Sequence, residues 1–450
     1  MTINVIDTLS KDELLGPPEA AAKPTATPRE CISASVHSTL LQRALEHVGR
    51  VQARPLDADG HVGYLFSIGR TATGEARGSV SSRDALRIAR AEFTCDSAEG
   101  EGAFVLPVAL AESVMGAEGL VEIEARREGD ARFVRQAFAG STAEVGSFDP
   151  RLLSSCDREL DASTEAQALP AAVLREALRL ATPYIAKATD HSANDLQQTV
   201  ELLDATRPGC ASGDGCVYAG NGVEVFYFRS DALRGRRLAI HGQHVPVVLR
   251  FLASAGEQVQ VRAGAHHTFL VDERRRVLGW CHHKRRHEMF KAFPDRMDTH
   301  RLLVSREGFL QATRYVATLL PSGRQKVRVT FDPAACDLRI HGVADRTRVE
   351  SAPVAVVLPP NEGVPTSFSL NANVNRLVNL AEHLRAHEFL LRIAIVSGKD
   401  GQPESAYFRA LDEFWLSDTG KVVGGSDVPV GKAPADAHKC VVTRILPAMV

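Results

Sequence analysis

One apolar stripe recurs three times along the chain at almost the same interval. Leu41, Ala44, Leu45 and Val48 form the first stripe. Leu174, Ala177, Leu178 and Ala181 form the second, and Phe309, Ala312, Thr313 and Val316 the third. Each is an i, i+3, i+4, i+7 set, the spacing that lines one face of an α-helix. The starts, Leu41, Leu174 and Phe309, stand 133 and then 135 residues apart. Solenoid units run to only ~20–50 residues, so a period this long marks whole domains in tandem. The 450 residues admit two to four domains at roughly 100–200 residues each, and the repeat selects three.

A second helix recurs within each unit. Phe104-Val105-Leu106-Pro107 leads into residues 108–115, His244-Val245-Pro246 into 247–252, and Ser367 to Asn371 into 372–384. Pro107 and Pro246 suit a first helical turn, whose N–H groups have no partner inside the helix. Asn371 is the expected cap of the third. Alternating strands follow at 120–125, 259–263 and 389–395, and further strands, such as 223–228 and 327–331, fall between the helices. Asp84-Ala85-Leu86-Arg87 returns as Asp231-Ala232-Leu233-Arg234 and more faintly as Asp345-Arg346-Thr347-Arg348, which reads as one point marked in each unit. The fold class expected is α+β: three tandem domains, each a pair of helix-plus-antiparallel-strands modules. The expected boundaries are 33–150, 151–296 and 297–450.

Residues 1–32 read as a flexible N-terminal extension. Pro17, Pro18, Pro24 and Pro28 stand there among Ala, Thr and Glu, a composition too poor in apolar residues to fold alone. Asp12 to Leu15 could form one helical turn of a docking peptide. Loops are expected at Pro208–Asn221 and Gly420–Lys439.

Acidic residues number 55 and basic residues 53, a formal net charge of −2. That excludes a polybasic protein held on nucleic acid by total charge, but not a local basic surface. The helix faces opposite the apolar stripes carry Arg43, Arg50, Arg175, Arg179, Lys187 and Arg314 on the first helices. The second helices carry Arg250, Arg376 and Arg385, against Glu46, Glu112, Glu176 and Glu382 across both sets. Any surface helix has a solvated face. Six homologous faces biased toward arginine also suit a phosphate backbone, which Lys and Arg bind without reading sequence. No aromatic residues are expected to interleave there, so stacking on single-stranded bases is not.

Hydrophobic residues make up 44% and charged residues 24%, the range of an ordinary globular chain. No apolar run approaches the roughly 20 residues of a membrane helix. No secretory leader is expected, and the location expected is the cytoplasm. The eight cysteines are scattered without a CxxC pair, the pattern of free thiols rather than of a disulfide framework.

Sites of enzyme chemistry are not expected. Cys281-His282-His283-Lys284-Arg285-Arg286-His287 invites a metal reading, but no second Cys/His pair lies at finger spacing. It reads instead as a polar edge strand with a basic cluster. Cys210 and Cys216 bracket a turn-rich loop, either as a chance pair or as a redox-sensitive disulfide. His287-Glu288 lacks the further His of a zincin helix, and Gly425 to Lys432 lacks the Walker spacing. No catalytic residue, metal or cofactor is assigned.

Several ordered segments carry a resemblance. Val105-Leu106-Pro107 and Val245-Pro246 enter second helices. Gly235-Arg236-Arg237-Leu238-Ala239 resembles a Gly-His-Arg-Leu-Ala segment, with Arg236 in place of His. Phe293-Pro294-Asp295 resembles the Phe-Pro-Asp-Tyr that closes a second domain. Val441 to Pro447 resembles a final strand that usually ends Met-Pro-Met-Arg-Leu. Over about residues 33–450 the chain resembles the bacterial β sliding clamps, the processivity subunits of DNA polymerase III. Reduction of the family's Ala-Thr-Asp signature to Ser230-Asp231 marks it as divergent.

The resemblance implies three clamp-type domains forming half of a ring, closed as a head-to-tail homodimer. Twelve helices would line a hole around duplex DNA. The function implied is a non-enzymatic DNA sliding clamp that tethers a DNA polymerase or other replication and repair proteins at the nucleoid. A clamp-like adaptor that binds such proteins without encircling DNA is the alternative. The family binds polymerase and clamp-loader proteins by short peptides in a groove between the second and third domains. Carried over, Gly235, Arg237, Leu238, Pro246, Leu446 and Pro447 would line it; Leu238, Pro246 and Leu446 suit an ordinary core equally.

Overall fold

The computed structural model describes residues 31–49, 51, 63–153, 157–163, 167–186, 197–204, 215–221, 224–233, 237–282, 300–321, 325–344, 347–358, 365–382, 384, 387–397, 403–417, 422–423 and 437–449. The first unit runs β1 (Cys31–His37), α1 (Ser38–Val48), β2 (Gly63–Arg70), β3 (Ala76–Arg83), β4 (Arg87–Thr94), β5 (Ser97–Glu99), β6 (Gly102–Pro107), α2 (Val108–Val114), β7 (Leu120–Glu128), β8 (Ala131–Phe138) and β9 (Ser141–Ser147). The short α3 (Asp157–Asp161) leads into the second: β10 (Gln167–Pro170), α4 (Ala171–Ala181), β11 (Thr199–Asp204), β12 (Gly215–Gly220), β13 (Val225–Ser230), β14 (Leu238–His241), α5 (Val245–Ser254), β15 (Gln258–Ala263), β16 (His267–Asp272) and β17 (Val277–Cys281). The third runs β18 (His300–Ser305), α6 (Arg306–Leu319), β19 (Lys326–Asp332), β20 (Asp337–Ala344), β21 (Thr347–Glu350), β22 (Val354–Val357), β23 (Phe368–Asn373), α7 (Val374–Glu382), β24 (Glu388–Ser397), β25 (Pro403–Ser417), β26 (Val422–Val423) and β27 (Ala437–Met449).

Each unit is built by one reciprocal exchange. The strand before the first helix pairs with the strand after the second, and the strand before the second helix pairs with the strand after the first. These pairs are β1–β7 with β6–β2, β10–β15 with β14–β11, and β18–β24 with β23–β19, all antiparallel. Two like modules therefore lock into each other three times over.

The three apolar stripes are the buried faces of α1, α4 and α6. Leu41, Ala44, Leu45 and Val48, then Leu174, Ala177, Leu178 and Ala181, then Phe309, Ala312, Thr313 and Val316 are all buried. Thr313 fits because its hydroxyl donates to the Phe309 carbonyl at 2.8 Å, so no polar group is left bare. The second helices are each tied at their C-terminal end, where carbonyls lack intrahelical partners. Gln42 Nε2 donates to the carbonyls of Val114 and Ala117 after α2. Arg276 donates to the Ser254 carbonyl at the end of α5. Arg306 donates to the carbonyls of Ala381 and Glu382 at the end of α7.

The sheets run through the units rather than stopping at them. Besides a five-stranded sheet in the first unit, one eight-stranded sheet joins the first unit to the second by pairing β4 with β17. A larger sheet joins the second to the third by pairing β13 with β27.

Five sequence expectations need correction. β23 runs to Asn373, so the helix begins at Val374, and Asn373 Oδ1, not Asn371, accepts the N–H groups of Asn375 and Arg376. Asp84 lies between the second and third strands after α1, whereas Asp231 follows the third strand after α4, so the repeated tetrapeptide does not mark one equivalent point. β12 lies inside the loop expected at Pro208–Asn221, and β26 and the start of β27 lie inside Gly420–Lys439. β1 begins at Cys31, within the expected extension; residues 1–30 lie outside the described residues. Finally, Cys281 ends β17, an interior strand between β16 and β4 and not an edge; residues 283–287 lie outside the described residues, as does Cys210.

Candidate nucleic-acid interface

The faces of the helices turned away from the sheets are where phosphate contacts were expected. Arg43 on α1, Arg175 and Arg179 on α4, Arg250 on α5 and Arg314 on α6 are exposed, and Arg376 on α7 is half-buried. Arg50, Lys187 and Arg385 lie outside the described residues. Glu46, Glu112, Glu307 and Glu382 are exposed on the same helices, and Glu176 is half-buried. Among the described residues, six arginines of the expected set therefore share these helices with five glutamates.

Arg179 and Arg314 are paired with carboxylates. Arg179 grips Glu176 through Nε at 2.8 Å and Nη2 at 2.7 Å, and that contact holds its guanidinium still more firmly protonated. Arg314 Nη2 lies 3.1 Å from Glu382 Oε1, linking α6 to α7. Arg43, Arg175 and Arg376 have no carboxylate partner among the described residues. The Arg314–Glu382 pair is exposed on both sides and so contributes little stability, about 0–1 kcal/mol, which lets a phosphate compete for that arginine.

Acids also collect on the outer face of the first sheet. A cleft of about 460 Å³ there is lined by Ser33, Glu99, Glu122, Glu124 and Arg135.

Contrary to the expectation of no aromatic on these faces, Tyr315 is 54% exposed on α6 beside Arg314, and Leu319 one turn on is 46% exposed. Tyr315 borders a shallow depression of about 730 Å³ with Arg306, Gln311, Arg314 and His387. Both residues are apolar positions lying off the buried stripe, which was the signal available in the sequence.

The expected groove residues divide. Leu238 opens β14 and is buried in the core shared by the first two units, 7% exposed. Arg237 just before it is exposed, as is Pro246 in the first turn of α5. Leu446 and Pro447 lie on β27 opposite Phe408 and Tyr407 of β25. Gly235 lies outside the described residues. β27 meets the second unit by pairing with β13 and at the 3-10 turn Asp231–Leu233.

Among the described residues no three His, Cys, Asp or Glu side chains converge to hold a metal ion. No helix among them is long and apolar enough to cross a membrane.

No protein-family model and no curated protein matches the chain by sequence. Solved structures match by fold. The DNA polymerase sliding clamp of Pseudomonas aeruginosa is 13% identical at a TM-score of 0.64, over 93% of this chain and 99% of that one. The β sliding clamp of C. crescentus is 15% identical at 0.64, over 93% and 99%. The DNA polymerase III β subunit of Thermotoga maritima is 12% identical at 0.59, over 93% and 100%. The chain thus has the α+β fold of the bacterial DNA polymerase III β sliding clamps, on a sequence that has diverged far from theirs.

Proposed function

We propose that the chain is a DNA sliding clamp: a non-catalytic ring of two copies that encircles duplex DNA and tethers a polymerase or other replication and repair proteins to it. The domains would divide near residues 150 and 296, and the ring would work in the cytoplasm at the nucleoid. The observation that carries this is the rule by which units join. The last strand of each following unit pairs with the third strand after the first helix of the unit before it, β17 on β4 and β27 on β13. The same two positions remain half-paired in the first and third units. Among the described strands β9 pairs only with β8, and β21 only with β20. A second copy would let β9 meet β21 by the same rule, twice, closing a ring of six units.

The surface beside β21 suits that role. Tyr315, Leu319 and Val343 are exposed there. α6 packs on β20, since a Cβ on Gly342 would touch Val316 and Leu320. Apolar residues grouped beside an open strand edge favour association.

A closed ring holds its partner near the template by raising its effective concentration, not by tight binding. Sparse, sequence-blind arginines suit sliding, because base-specific contacts would act as brakes. Arg43, Arg175, Arg250 and Arg376 would touch phosphates, with Arg179 and Arg314 exchanging Glu176 and Glu382 for them. Partner proteins, including clamp-loader types, would enter by short peptides between Arg237, Pro246 and β27.

The test loads the protein onto nicked circular DNA. A sliding ring stays on the circle and runs off when the circle is cut. Equal retention on linear DNA would overturn the ring, and a monomer by sedimentation at micromolar concentration would favour the adaptor that binds partners without encircling DNA.

A further inference from the structure

The seam between the first two units holds a cluster of chemistry-bearing side chains that a sliding clamp does not need. His267 and Cys281 are register partners at the adjoining ends of β16 and β17. Directly opposed residues of an antiparallel pair have Cβ atoms about 4.5–5.5 Å apart, and Nε2 of the His267 ring lies 3.6 Å from Sγ of Cys281. On the other side of the ring, Nδ1 lies 2.7 Å from Oε2 of Glu159, which α3 carries over the outer face of the sheet.

The carboxylate is itself fixed. Glu159 Oε1 accepts the backbone N–H of His266 at 2.6 Å and of His267 at 2.8 Å. Burial acts to raise the Glu159 carboxyl, but these donors and the ring outweigh it and hold it below the usual carboxylate range. An anionic acceptor on Nδ1 keeps the proton on that nitrogen and leaves the Nε2 lone pair facing the thiol. Space for the carboxylate comes from Gly264, where a Cβ would stand 2.6 Å from Glu159 Oε1. The imidazole is buried and the thiol half-buried.

Burial raises the Cys281 thiol, with Arg83 acting to lower it and Asp84 and Glu159 to raise it. The resting group is therefore S–H, and such a thiol becomes nucleophilic only if a base takes its proton as it reacts. His267 stands where that base must be.

We propose that Cys281, His267 and Glu159 form a base-activated thiol, a modification site for small hydroperoxides. Sγ attacks the terminal oxygen of the hydroperoxide while Nε2 of His267 takes the thiol proton. An S–O bond forms, the O–O bond breaks, and the departing alkoxide or hydroxide takes the proton back from the imidazolium. Sulfur is oxidised by two electrons to a sulfenic acid, and the peroxide is reduced to an alcohol or water. A small peroxide suits a half-buried thiol, and its leaving oxygen needs the acid that His267 has just become. The product sits at a joint. The Cys281 amide donates to the Leu86 carbonyl at 2.9 Å, and Sγ lies 3.8 Å from the Ala85 carbonyl, so the new oxygen faces the turn that joins β3 to β4.

The test exposes the intact protein to limiting hydrogen peroxide with dimedone present to trap sulfenic acid, and compares cysteines by peptide mass spectrometry. Cys31 is the internal reference: it is more exposed than Cys281 but has the Glu124 carboxylate, not an imidazole, 3.5 Å from Sγ. Accessibility alone favours Cys31, whereas base activation makes Cys281 trap at least several-fold faster. Glu159→Gln and Gly264→Ala leave the thiol and ring in place and should bring Cys281 down toward Cys31. Trapping of Cys281 no faster than Cys31 in the unaltered protein overturns the proposal without reference to any variant. So does an unchanged rate in both variants at unchanged melting temperature.

Discussion

Arg314 on α6 meets Glu382 on α7 with Nη2 and Oε1 3.1 Å apart, so the third unit neutralises one of its own cations on the exposed helix face. Arg179 and Glu176 repeat the arrangement within α4. If DNA is held there, these glutamates compete with phosphate for the same guanidinium groups. Glu382→Gln should then strengthen duplex binding and steepen its salt dependence. Each added phosphate contact steepens the slope of log K against log salt by about 0.9. Arg43→Gln with Arg175→Gln should do the reverse by up to about two contacts' worth. Fluorescence anisotropy on a labelled duplex across a salt series reads both, and identical slopes in all three proteins would place DNA elsewhere.

Leu319 is 46% exposed at the end of α6, and Tyr315 lies one turn before it. On ring closure both would be covered. Leu319→Asp should weaken self-association by about 2 kcal/mol, the scale of an interface hot spot, roughly a thirtyfold rise in the dimer dissociation constant. Its effect on folding should be small, since exposed positions tolerate change within about 0.5 kcal/mol. Sedimentation reads the first and thermal melting the second. A dimer of unchanged affinity would move the interface away from this edge.

The repeat was legible because each stripe is a four-residue pattern on a helix of ordinary length, and three copies at one interval reinforce one another. The third entry to a second helix was less so. Pro107 and Pro246 mark the first two, but the third offers Asn371 and Asn373, two strand residues apart, and either could cap. The tetrapeptide beginning at Asp84 misled for a local reason. Asp84 Oδ1 accepts the N–H groups of Leu86 and Arg87, a turn that any tight connection can use, so the motif records turn chemistry and not position. At the site, arginines could be read from a helical wheel, and the Glu176–Arg179 spacing of three predicts their pairing. The Arg314–Glu382 contact joins residues 68 apart and exists only because α6 and α7 pack together. The His267–Cys281 pair depends likewise on strand register.

Gly279 on β17 faces Phe269 across the strand pair. A Cβ there would stand 2.7 Å from Cδ1 and 2.8 Å from Cε1 of that ring, which is fully buried. Gly279→Ala should destabilise the protein by roughly 1–3 kcal/mol, the usual cost of overpacking a core. Gly69 on β2, with nothing within 4 Å of its added Cβ, is the control: Gly69→Ala should be near neutral. Urea denaturation separates them, and equal midpoints would mean that the ring moves aside freely.

His300 opens β18 at 4% exposure, its ring edge-on to Phe368 at 4.9 Å, and its Nε2 donates to the Thr366 carbonyl at 2.9 Å. Burial pushes its pKa below the ordinary value of 6.5, and the Thr366 bond only partly opposes this. The folded state therefore holds the neutral ring to lower pH than the unfolded chain does. Above pH 6.5 both states are neutral and the contribution is complete. As pH falls through 6.5 the unfolded chain takes up the proton first, and stability drains until the folded ring protonates as well. One proton sets a ceiling of ~1.4 kcal/mol per pH unit. His300→Gln can keep a donor to Thr366 but has nothing to protonate, so it should lose less stability than the parent between pH 7 and 5. Urea midpoints across that range supply the comparison. Curves that stay parallel from pH 7 downward would show that the buried ring does not carry the acid sensitivity.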